Sequence, residues 1–174
     1  ILREANLFIM GGYVYPTREG FPQWGREMDW NLQNDVKSAQ TVLDASSPTL
    51  VPLSVTVETY LRRAHIARLT QGAPLARLIA RQAKAFARDE NFEALYGKTS
   101  TALPDDTIDF LHDPLACAIA LGWNQGVEIE EIPLKTEIQG GWLHQEIAPD
   151  GKPTRIVTKI DGERFSQFWL ERTA

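Results

Sequence analysis

His112 and Asp113 stand side by side in front of Pro114 and the apolar run Leu115-Ala116-Cys117-Ala118-Ile119-Ala120-Leu121. A histidine titrates near neutral pH, so its imidazole suits proton donation. A carboxylate at the first turn of a helix is kept ionised by the positive end of the dipole. The same residues predict the helix itself, because Asp is a favoured N-cap and Pro a favoured first helical residue. A helix that is apolar on every side belongs in a core, so the pattern predicts a buried site. Capping accounts for Asp113 and Pro114; it does not account for His112.

A second polar cluster, Met28-Asp29-Trp30-Asn31-Leu32-Gln33-Asn34-Asp35, follows the apolar run Leu7-Phe8-Ile9-Met10 and its Gly11-Gly12 turn. In an extended segment the side chains of Asp29 and Asn31 point the same way and can grip one ligand together, with Trp30 between them. Asn34 or Asp35 is then the cap of a helix through Val36, Ala39, Val42 and Leu43, spaced as a core-facing stripe requires. Asp35 is read as structural. The paired glycines let backbone approach a ligand at a strand end.

Taken in order, Ile9-Met10-Gly11-Gly12, Asp29-Trp30-Asn31, Asp35 and Phe110-Leu111-His112-Asp113-Pro114-Leu115-Ala116 make a chain that resembles the inosine-uridine-preferring nucleoside hydrolases. The resemblance runs to the closing segment Asp161-Gly162-Glu163-Arg164-Phe165. It implies hydrolysis of the N-glycosidic bond of a ribonucleoside to ribose and free base, in purine or pyrimidine salvage, with bound Ca²⁺. On that basis Asp113 is a calcium ligand and sugar-hydroxyl acceptor. His112 protonates or hydrogen-bonds the leaving base, and Asp29 and Asn31 bind ribose hydroxyls. Trp30 joins them as a substrate contact, followed by Trp24 and Tyr96.

Two features depart from the family. Asp29 stands where a Glu is usual, which keeps the charge but shortens the reach, and Gln23 stands nearest to a family asparagine. The family's opening aspartate cluster, which supplies the catalytic base and most metal ligands, does not occur in these 174 residues. The chain is therefore read as the C-terminal half of a longer enzyme, inactive alone and completed by the N-terminal half, in a homodimer or homotetramer. Two other classes stay open. One is a non-catalytic nucleoside- or sugar-binding or regulatory module on the same fold, and the other is a fragment that completes another chain.

A hydrophobic content of 43% over 174 residues predicts one domain with a real core. The net charge of −5 argues against a nucleic-acid partner. No apolar run is long enough to span a bilayer, and the single Cys117 reads as a core residue in a reducing, cytoplasmic setting.

Strand and helix signals alternate through the first two thirds, predicting an α/β domain with a mostly parallel sheet and flanking helices. Residues 74–89 form a helix with Leu75, Leu78, Ile79 and Phe86 on one face and Arg77, Arg81, Lys84 and Arg88 on another. Residues 92–109 read as an irregular loop and candidate lid, and Asp105, Asp106 and Asp109 as turn and capping acids. Three strands follow, over 127–138 with Pro133 marking an edge, 142–147 and 154–160. They form an antiparallel appendage before a helix capped by Asp161.

Overall fold

The computed structural model describes residues 2–174. Its elements in chain order are β1 (Phe8–Met10), α1 (Trp30–Gln33), α2 (Val36–Ala45), β2 (Thr49–Val51), α3 (Leu53–Thr56), β3 (Tyr60–Arg62), α4 (Ile66–Gln71) and α5 (Pro74–Asp89). A π-helical turn, Glu93–Gly97, leads to β4 (Thr107–Phe110), α6 (His112–Ala120), β5 (Glu128–Gln139), β6 (Trp142–Ile147), β7 (Lys152–Lys159) and α7 (Gly162–Thr173).

Five strands form one sheet in the order β1-β2-β7-β5-β6, and β3 pairs with β4 apart from it. The alternation of period two sends Leu50 and Ile156, which lie opposite each other, into one core, and Val51 and Val157 into the other. Helix α2 covers the first face through Leu43, while α6 packs on β1 and α3 on the second side. The class is α/β, as the alternating signals predict.

The strand details differ from the sequence reading. β1–β2 and β2–β7 are parallel, but β7–β5 and β5–β6 are antiparallel, so the sheet is mixed. The antiparallel strands are no appendage, because β7 inserts beside β2 and continues the main sheet. Pro133 is internal rather than at an edge: it lies opposite Pro153 on β7, just before β6 begins to pair at Leu134. Two prolines facing each other remove two N–H donors where neither ladder needs them.

Helix α5 has the predicted bounds, but not the predicted inner face. Its buried residues are Ala76, Ala80, Ala83 and Ala87, which allow close approach to α4 and β4. Leu75, Leu78 and Phe86 share a face as their spacing requires, yet they are 65%, 42% and 43% exposed. Helix α6 is likewise one-sided. Leu115, Ala116 and Ile119 are buried, whereas Asp113, Cys117 and Ala120 face solvent, so Cys117 is not a core residue. Within 92–109 the backbone forms a π turn and a strand rather than an irregular loop.

Two of the predicted caps form. Asp35 accepts from the Ser38 amide at 3.1 Å, and Asp161 accepts from the Arg164 amide at 3.0 Å. Asp106 accepts from Arg62 and from the Ala64 amide, the work of a turn acid. No helix is long and apolar enough to cross a membrane among the described residues.

Candidate functional site

The candidate residues gather at the carboxyl ends of the parallel strands, where open α/β sheets place their ligands. β1 ends at Met10 and β2 at Val51, and the bonds Gly11 N–H to Val51 O (3.0 Å) and Leu53 N–H to Gly12 O (3.4 Å) tie the two ends together. β2 then runs into α3, and α6 lies against both β1 and α3. His112 is the first residue of α6 and therefore opens onto this end.

The His112 imidazole is half-buried, with Nδ1 2.7 Å from the hydroxyl of Thr56, the fully buried last residue of α3. Its ring lies 5.4 Å from that of Phe110 and 6.0 Å from that of Trp24. Trp24 in turn meets Tyr96 edge-on at 5.2 Å, and Phe92 closes the aromatic group against Tyr96 at 4.8 Å. Burial among these rings pushes the His112 pKa down to about 4. No carboxylate opposes the shift, so the imidazole is neutral at physiological pH. The sequence pattern predicts an imidazole titrating near neutral pH; desolvation moves it below that.

Asp113 is exposed on the first turn of α6 and makes no side-chain hydrogen bond or ion pair among the described residues. It does not cap the helix, because the capping position belongs to Leu111, which gives no side-chain bond. The prediction of a buried Asp113 is thus corrected, and its carboxylate is exposed on the helix turn that begins with His112.

Asp29 is buried, and both of its oxygens are taken by backbone. Oδ2 accepts from the Gly12 amide at 2.6 Å, and Oδ1 accepts from the Leu32 amide at 3.2 Å as the N-cap of α1. Burial raises its pKa, while the amides of Gly12, Leu32 and Asn31 pull it down. The glycine turn therefore receives this carboxylate: a Cβ on Gly11 would meet Asp29 Oδ1 at 3.1 Å, and Gly11 and Gly12 take φ of 145° and 106°.

Residues 30–33 are helical, so Asp29 and Asn31 do not alternate along an extended strand. They converge on one place all the same. Asn31 Nδ2 donates to the Met10 carbonyl at 3.0 Å, next to the amide that Asp29 holds. Trp30 points outward and is 75% exposed. Gln23 donates to the carbonyls of Arg18 and Phe21 and fastens its own loop.

Thr56 is the site residue that sequence reading missed. It lies 56 positions before His112, and no local pattern marks it; only the packing of α3 on α6 brings the two together.

No group of three or more His, Cys, Asp or Glu side chains is placed to hold a metal ion among the described residues. Calcium takes six to eight oxygen ligands, and Asp113 offers one free carboxylate. These residues do not by themselves fit a calcium site.

A profile of the family described as Inosine-uridine preferring nucleoside hydrolase matches residues 3–167. A search of curated proteins finds no match. Among solved structures, the chain is similar to a purine-preferring ribonucleoside hydrolase from Gardnerella vaginalis, with a TM-score of 0.70 and 18% identity, over 94% of this chain and 50% of that one. The chain thus spans about half the length of that relative, and the likeness is one of fold. Because the family profile covers nearly all of the sequence, the chain belongs to the inosine-uridine preferring nucleoside hydrolase family.

Proposed function

We propose that this chain provides the leaving-group side of a ribonucleoside N-ribohydrolase and acts within a longer assembly. The observation that carries this reading is the His112 imidazole, held on the Thr56 hydroxyl at the carboxyl edge of the sheet, with the exposed Asp113 next in sequence on the same helix turn.

In glycoside cleavage the sugar gains oxocarbenium character, and the departing group must be stabilised by a proton or a hydrogen bond. A nucleobase is a poor leaving group, so this term dominates. In the tautomer whose Nδ1 accepts from the Thr56 hydroxyl, the ring proton of neutral His112 sits on Nε2, where it can be shared with the departing base. Trp24, Tyr96 and Phe110 give this imidazole an apolar surround suited to a flat ring. Asp113 accepts from a ribose hydroxyl, and it would lend its carboxylate to a Ca²⁺ ion whose other ligands would come from outside these residues. Asn31, bonded to the Met10 carbonyl, and the exposed Trp30 serve in this reading as the ribose-side contacts. No residue described here is assigned the activation of water. The exposed Leu75, Leu78 and Phe86 favour a partner surface on α5, in keeping with a homo-oligomer or a second half.

A second reading, a nucleoside- or sugar-binding module without catalysis, draws support from Asp29, whose two oxygens are both occupied by backbone amides. Ribose release from inosine, uridine and a chromogenic riboside by the full-length protein, with and without chelator, separates the two. Hydrolysis is expected, and His112→Ala should slow inosine by about 10²–10⁴-fold while leaving the chromogenic riboside much less affected. Equal losses on both substrates overturn the leaving-group role, and binding without ribose release favours the module.

A further inference from the structure

The acidic total charge hides a basic face. The segment from Arg62 to Lys98 carries eight of the chain's 18 Lys and Arg residues but only three of its 23 Asp and Glu residues. Folding concentrates this excess around one groove of about 680 Å³. Arg63 enters it from the turn before α4, Arg81, Lys84 and Arg88 from α5, and Lys98 from the segment just after the π turn. Ala85, Ala87 and Ala94 line it between the cations, and their short side chains leave the space open.

The charges in the groove are unevenly matched. Glu93 is its single acidic lining residue, and it accepts from Arg63 Nε at 2.8 Å while Lys98 lies 4.0 Å away. Arg88 is paired with the neighbouring Asp89 at 2.7 Å. Arg81 and Lys84 have no carboxylate partner among the described residues. A second depression of about 380 Å³, beside Arg77, is lined by the same Arg81 and Lys84, so these two form a cationic wall with open space on both sides. Like charges three and four residues apart on a helix repel. An ion that is shared between them removes that repulsion.

We propose that this groove is a binding site for a small anion with two or more negative charges, of the pyrophosphate or phosphate-ester class. A singly charged ligand would gain little where Glu93 already holds Arg63 and Lys98. A multiply charged one meets Arg81 and Lys84 at once. Guanidinium forks match phosphate oxygens in pairs, and the volume falls in the range of small-ligand pockets, about 300–1,000 Å³. The site is independent of the hydrolase reading, since none of its cations belongs to the His112 cluster.

Calorimetric titration of the whole chain with inorganic pyrophosphate, at about 0.15 M salt to screen diffuse attraction, tests the proposal. Saturable binding is expected, weakened about ten-fold or more in the Arg81→Gln/Lys84→Gln double variant. Lys135→Gln/Lys159→Gln, which removes two cations from β5 and β7, should leave it unchanged. Far-ultraviolet circular dichroism establishes that each variant is folded. The proposal is overturned by absence of saturable binding, by equal affinity in the Arg81/Lys84 variant, or by sulfate and chloride competing as well as pyrophosphate at equal ionic strength. A preference of about ten-fold or more for heparin or a single-stranded oligonucleotide also overturns it, making the face a surface for long polyanions.

Discussion

At the scale of single residues, this protein uses carboxylates and an imidazole in ways that sequence position alone does not reveal. Asp29 has the charge of a ligand and the geometry of a clasp, fastening the Gly12 amide to the start of α1. Asp29→Ala leaves two buried amides without acceptors, at about 1–3 kcal/mol each if water cannot reach them. A loss of about 2–6 kcal/mol in urea unfolding is therefore expected, and Asp29→Asn should lose less, because its amide oxygen still accepts. Undiminished stability of Asp29→Ala, together with a raised KM for ribosides in the full-length protein, would return Asp29 to the role of ribose ligand. The site was legible in part: the His112-Asp113-Pro114 pattern located the imidazole and the free carboxylate. Its chemistry was not legible, because the neutral state of His112 depends on Trp24, Phe110 and Thr56, residues that reach it through space.

At the scale of elements, local rules worked where a cap or a breaker sets the boundary. Asp35 and Asp161 start their helices as predicted, and α5 opens at residue 74 as its predicted range requires. They worked less well for which face turns inward. In α5 the bulky apolar residues face out and four alanines face in, because the neighbouring elements lie too close for leucine. Helix α7 shows the same dependence on close approach. A Cβ on Gly162 would lie 2.0 Å from the Glu58 carbonyl oxygen, and the Ser166 hydroxyl accepts from the Tyr60 amide at 2.9 Å. Gly162→Ala must push α7 off the chain at Glu58 and should cost about 1–3 kcal/mol, the range of core overpacking. Thermal unfolding checks this, and an unchanged midpoint would mean that α7 docks elsewhere.

At the scale of the whole molecule, two titrating groups on consecutive elements oppose each other in acid. Burial pushes the Asp109 carboxyl up to about 6, relieved only by the Phe110 amide, and pushes the His112 imidazole down to about 4. For Asp109 the unfolded chain releases its proton first, so stability is lost as pH rises from about 4 to about 6. For His112 the unfolded chain takes up its proton first, so stability is lost as pH falls from about 6.5 to about 4. The two trends largely offset one another. Asp109→Asn removes the first, and the variant should gain on the order of 1 kcal/mol near neutral pH, after allowance for solvent screening of a partly exposed group. Its melting temperature should then fall steeply on acidification, while that of the parent stays flatter; parallel curves in a pH series of thermal melts would refute the pairing.

What the sequence determined by itself was the family resemblance, the α/β class, the caps of α2 and α7 and the helix that carries His112, since each depends on residues within a few positions of one another. The tertiary structure alone decided the mixed pairing of β7 between β2 and β5, the alanine face of α5, the engagement of Asp29 and the neutrality of His112. Strand partnership, burial and desolvation arise between residues far apart in the chain, and no spacing rule encodes them.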